Sequence, residues 1–126
     1  MARYSVVAAM AEDDLYSVWW EAVKPKVLID KETFMREAVT WTVTPIQVEN
    51  ELAALLLQKS NEVHFIKTGD HQFTRALLRK YLKPGMVTRL EGEDRINRAF
   101  ITRLGFIFTG TDGLDYFYKL ERLRHV

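Results

Sequence analysis

The sequence predicts an α+β domain in which strands outnumber helices, in the order β-α-α-β-β-β-α-β-α-β-β. Three observations predict it. From Met86 to Leu120 the chain reads as strand, helix and hairpin. Between Trp41 and Lys67 three strand-like runs follow one another across connections of hairpin length. Two amphipathic helical stripes, one after Glu12 and one after Gly69, stand before and after that group of strands.

Taken in order, Tyr4 to Ala9 is rich in β-branched and aromatic residues and reads as a first strand. Glu12, Asp13 and Asp14 set carboxylates in the first turn of a helix, where they favour its positive end. Leu15, Val18, Trp19, Ala22 and Val23 continue the stripe until Pro25 ends or bends it. Trp19 and Trp20 point different ways, so at least one is expected at a surface. Asp30 caps a short helix to Val39, with Phe34 and Ala38 inside. Trp41 to Val48, Leu52 to Leu57 and Val63 to Lys67 are three strands of a meander, and Pro45 marks the first as an edge strand or a bulge because proline donates nothing to a ladder. Gly69 to Lys83 is a helix with Asp70 at its start, Phe73, Ala76, Leu77 and Tyr81 inside and Arg75, Arg79 and Lys83 outside. Pro84-Gly85 stops it. Met86 to Leu90 is a strand. Asp94 to Leu104 is a helix with Ile96, Ala99, Phe100 and Leu104 on its apolar face and Arg95, Arg98 and Thr102 on the wet side, stopped by Gly105. Phe106 and Phe108 share one side of the next strand, and the Thr111-Asp112-Gly113-Leu114 turn returns the chain along Tyr116 to Leu120.

Composition bounds the function. The 126 residues make a single domain, 1–126, with an ordinary globular balance and a net charge of +1. The absence of cysteine excludes disulfides, thiolate metal sites and a cysteine nucleophile. No apolar run approaches the roughly 20 residues that cross a bilayer, and Met1 to Met10 lacks a secretory core, so no membrane role is expected and the cytoplasm is the expected location. His71 and His125 have no second ligand at metal spacing, so no metal is expected. Between His71 and Leu104 the basic residues Arg75, Arg79, Lys80, Lys83, Arg89, Arg95, Arg98 and Arg103 outnumber Glu91, Glu93 and Asp94. These are read first as solvated helix faces and second as a surface for an anionic partner. Nucleic acid is not expected, because the aromatic residues fall on core-facing positions rather than between basic ones.

The run Asp94, Asn97, Ile101, Gly105, Phe106 resembles the closing helix of the GCN5-related N-acetyltransferases, whose pattern is close to Asn-x-x-Ala-x-x-x-Tyr-x-x-x-Gly-Phe. The element order is similar to that family's from end to end. The resemblance implies a mixed, mostly antiparallel sheet with helices on both faces and two neighbouring parallel strands, around Val63 to Lys67 and Met86 to Leu90, that splay to admit a thioester. It further implies acetyl-CoA or CoA as cofactor and an amine as acceptor. The family grips the pyrophosphate in an Arg/Gln-x-x-Gly-x-Gly/Ala turn at a helix start, and the equivalent place here is Lys67-Thr68-Gly69-Asp70-His71-Gln72-Phe73. Lys67, Thr68, Gly69, Asp70, His71, Arg75 and the helix-starting Asp94 are therefore the candidate cofactor contacts. One glycine stands where the family has two, and Asp70 sets a carboxylate where the anion belongs.

For the chemistry, Glu62 and His64 lie two apart on one strand and form the best acid–base pair available. A histidine on a strand is more often structural. The family's tyrosine acid is replaced by Ile101, leaving Tyr116 or Tyr118 of the last strand as substitutes, with Tyr116 the candidate. An intact order with eroded signatures also resembles the small acyltransferase-like proteins encoded among the structural genes of tailed phages. That resemblance implies a virion component or host-directed factor with a protein partner, in the host cytoplasm or the virion.

Overall fold

In the computed structural model the described residues are 12–49, 51–68, 78 and 80–122. They form an α+β fold, as expected. The elements are α1 (Glu12–Val23), a 3-10 turn (Lys24–Lys26), α2 (Lys31–Ala38), β1 (Thr42–Val48), β2 (Glu51–Lys59), β3 (Glu62–Lys67), β4 (Val87–Glu91), α3 (Arg95–Leu104), β5 (Phe106–Asp112) and β6 (Asp115–Leu120). The six strands are ordered β1-β2-β3-β4-β6-β5. β1/β2, β4/β6 and β5/β6 are antiparallel, whereas β3 and β4 are parallel with Glu62 opposite Val87. The expected strand from Tyr4 to Ala9 and most of the expected helix after Gly69 lie outside the described residues. Contacts divide the chain into two compact units, Met1–Lys59 with His64–Gln72 and Ser60–Val63 with Phe73–Val126.

In the first unit β2 is the spine. Leu52 to Leu57 are all buried, so both of its faces are covered, and the residues are apolar without alternation for that reason. Leu15 and Val18 of α1 pack on Leu52, Leu55 and Leu57. Tyr16 packs with Phe34 and Ala38 of α2 while its hydroxyl donates to the Trp41 carbonyl at 2.8 Å, which lets a polar tip sit in an apolar place. The tryptophans differ from expectation. Neither is exposed: Trp19 meets Phe34 edge-on at 5.0 Å and Trp20 tilts onto the same ring at 5.1 Å, so one phenyl ring holds both indoles. Pro25 turns the end of α1 into a 3-10 turn, and Asp30 caps α2 as expected, accepting from the Thr33 N–H at 2.7 Å. Pro45 sits in β1, the outermost described strand on that side. The register slips beside it, with Ala53 of β2 as the extra residue between Ile46↔Ala54 and Gln47↔Leu52.

In the second unit α3 begins at Asp94, whose Oδ1 accepts from the Asn97 N–H, and ends at Gly105 with φ +118°, the left-handed stop the sequence predicts. Its face is turned by about one residue from the expected one. Ile101 and Leu104 are buried and Arg98 and Phe100 half-buried, but Ile96 and Ala99 are exposed. The apolar stripe misses Arg98 because its partners are on β6 and in the β4–α3 turn. Nε–H donates to the Tyr118 hydroxyl at 3.0 Å, an Nη1–H to the Gly92 carbonyl at 2.6 Å, and the guanidinium lies 4.3 Å from the centre of the Tyr116 ring. The helix expected to run to Lys83 stops sooner. Leu78 is helical, Lys80 and Tyr81 are in a turn, and the N–H groups of Tyr81 and Leu82 both reach the Leu78 carbonyl. Pro84 disfavours a helical Lys83 before it, which draws the stop upstream. β5 and β6 join through Gly113-Leu114, with Gly113 at φ +61° and Asp112 opposite Asp115.

Candidate functional site

β3 carries the two candidate bases and leads into the candidate phosphate turn. Glu62 faces Val87 of β4, and its Oε2 lies 3.8 Å from Arg89 Nε at a partly solvated position. Val87 also pairs with Lys119, and Arg89, two residues on, with Phe117. Glu62, Val87, Arg89, Phe117 and Lys119 therefore share one face of the second unit's strands. Tyr116 pairs with Leu90, an odd number of residues from Val87, so it projects from the opposite face. The structure does not bring Glu62 and Tyr116 together. They are separated by a strand, by three residues of rise and by the sheet itself, about 14 Å between backbones from strand geometry alone. A proton taken by one cannot be passed directly to the other. His64 is half-buried, its ring tilted against Trp41 with the ring centres 5.7 Å apart.

At the start of the phosphate turn Lys67 is exposed and makes no ion pair among the described residues, so its ammonium is available to an anion. Thr68 is engaged. Its N–H donates to the Ala53 carbonyl at 3.0 Å and its hydroxyl to the Leu52 carbonyl at 3.1 Å, so both donors hold the strand end against β2. To contact a phosphate it would have to release two bonds. Gly69, Asp70, His71 and Arg75 lie outside the described residues. Asp94 serves α3: Oδ1 accepts from the Asn97 backbone and Oδ2 from Asn97 Nδ2 at 2.8 Å, so its carboxylate already occupies the positive end of that helix.

Tyr116 sits in a formed setting that the sequence did not disclose. The Arg98 guanidinium covers its ring, Phe108 lies 5.5 Å from it, and Gly92 lies close against it, since a Cβ there would overlap the ring, with Tyr116 Cδ1 and Cζ at 2.9 Å. The Tyr118 hydroxyl, accepting from Nε, raises the pKa of Arg98 further above its ordinary value, so the guanidinium stays charged over the ring throughout the accessible pH range. The Tyr116 hydroxyl has no hydrogen-bond partner among the described residues. No sequence signal pointed to Arg98 or Gly92, because their meeting with Tyr116 depends on α3 and the β4–α3 turn packing on β6.

Among the described residues no group of three or more His, Cys, Asp or Glu side chains is placed to hold a metal ion. No described helix is long and apolar enough to cross a membrane. No family model matches the chain, and a search of curated proteins finds no match.

Proposed function

We propose that the chain is an acyl-CoA-binding protein of the N-acetyltransferase type, with an amine acceptor and with catalysis weakened or lost. The observation that carries the reading is the parallel β3–β4 pair within a mostly antiparallel sheet, followed in order by helix and hairpin. The group that acyl-CoA would supply is a thioester ready for attack. Lys67, without an ion pair among the described residues, offers a cation to its phosphates, whereas Thr68 offers nothing without breaking from β2. The weakening draws on Glu62 and Tyr116 projecting from opposite faces, which leaves no direct acid–base relay between those two. The cytoplasm is the compartment that fits such a cofactor.

Calorimetric titration with acetyl-CoA and CoA tests the reading. Micromolar binding is expected, weaker in Lys67→Ala and Gly69→Trp, and tighter in Asp70→Asn because a carboxylate no longer opposes the pyrophosphate. Absence of heat at millimolar ligand overturns it. The second reading is a non-catalytic interaction protein, virion or host-directed, of the kind the tailed-phage resemblance implies. It draws on Leu28 and Ile29, which are fully exposed and exposed on the turn between Lys26 and Lys31 and offer a protein partner an apolar contact flanked by cations. A chain with no acyl-CoA affinity would be assigned to it.

A further inference from the structure

We propose that β5 is the seam of a two-fold dimer, pairing antiparallel with β5 of a second copy. The inference does not depend on acyl-CoA binding. β5 is outermost among the described strands, so along one side its backbone N–H and C=O groups have no strand partner among the described residues, an edge that recruits another strand unless something blocks it. On the opposite margin β1 carries such a block in Pro45, which cannot donate. β5 contains no proline. Its one irregularity, the extra residue Thr109 between Phe108↔Tyr118 and Gly110↔Phe117, is tied inward by the Thr109 hydroxyl donating to the Phe117 carbonyl at 3.1 Å. Ile107 and Phe108, on opposite faces of the strand, are 45% and 51% exposed, so apolar surface flanks the open edge above and below.

Charge selects the occupant. At the turn end of the hairpin Asp112 and Asp115 are cross-strand partners, two carboxylates directly opposed with no ion pair among the described residues, which is unfavourable in the isolated chain. At the other end Arg103, just before the strand, and Lys119, opposite Ile107, are exposed and equally without an acidic partner among the described residues. An antiparallel second copy lays the acidic end of each hairpin on the basic end of the other, and two-fold symmetry makes that contact twice. Parallel pairing would set like charge on like. The β5–β6 hairpin, with Arg103 just before it, is complementary to a second copy in one direction only, which favours a copy of this chain over an unrelated peptide.

Sedimentation velocity of the full chain at tens of micromolar tests the proposal, and a dimer is expected. Ile107→Lys converts it to a folded monomer with an unchanged far-UV circular dichroism spectrum, since that side chain is already half in water. Asp112→Arg weakens dimerisation by about tenfold or more, and adding Arg103→Asp restores it because each copy again presents opposite charges at the two ends. Thr42→Lys on β1 leaves association unchanged. A monomeric parent chain, a double swap no tighter than Asp112→Arg alone, or loss of the dimer in Thr42→Lys overturns the assignment; the charge swap decides the matter even where the Ile107 variant fails to fold.

Discussion

β1 and β5 lie at the two margins of the described sheet and each borders a register slip, yet they belong to hairpins held in opposite ways. β1 pairs with a strand buried on both faces. β5 pairs with a strand whose Tyr118 and Leu120 are buried but whose Lys119 is in water, and beyond Phe106 its own residues are largely exposed. The first hairpin is therefore stabilised by the volume of apolar side chains it removes from water. The second depends on a few specific contacts on one face, chiefly the Arg98, Tyr116, Tyr118 and Phe108 group. Continuous burial tolerates plain chemistry, whereas one-sided packing needs particular partners.

The largest expected effect breaks the comparison at its buried end. Leu55→Ala should cost about 2–5 kcal/mol, the range for deleting a fully enclosed leucine, while Ile107→Ala in the other hairpin should stay within about 0.5 kcal/mol in the monomer. Urea unfolding measures both, and equal losses would show that β5 is as enclosed as β2. Next comes Gly92→Ala, which should destabilise by about 1–3 kcal/mol because the ring it strikes is held by the Arg98 guanidinium and by Phe108. In Tyr116→Ala the same substitution should cost far less, and an additive double variant would remove Gly92 from the account.

The smallest effects sharpen the comparison at the helix caps, one in each unit. Asp94→Ala should cost about 1 kcal/mol in chemical denaturation by freeing the first turn of α3. Asp30→Ala should lower the melting temperature of the protein at neutral pH, and its effect should carry a pH signature. Hydrogen bonds from Thr33 hold the Asp30 carboxyl below the usual aspartate range. A depressed folded-state pKa means that the stabilisation is present above the unfolded value of about 4 and is lost as pH falls through the folded one. The gap between Asp30→Ala and the parent protein should accordingly close in acid, and a constant gap from neutral pH to strong acid would show that the cap acts through something other than its charge.

Much of this fold was legible from local chemistry. Gly105 after Leu104, Asp30 and Asp94 before their helices, Pro45 in an outer strand and the glycine of the last turn each act within a few residues, where backbone sterics and capping bonds leave little choice. The face of α3 was not legible in the same way. Ile96 and Ala99 satisfy a helical period as well as Ile101 and Leu104 do, and nothing near them in the chain reports that Arg98 has two tyrosines and a carbonyl waiting on other elements. The candidate site divides along the same line. That Glu62, His64, Lys67 and Thr68 follow one another along a strand and its exit was evident from spacing; that Thr68 has both donors engaged by β2, and that Glu62 and Tyr116 lie on opposite faces, was not.

Short-range sterics and capping set where α2 starts and where α3 starts and stops, and an unbroken apolar run marked β2 as a strand. Which side of α3 turns inward and which donors remain available among the described residues were decided by packing and strand pairing between residues far apart in the chain. A register is a property of two segments together, and neither segment alone contains it.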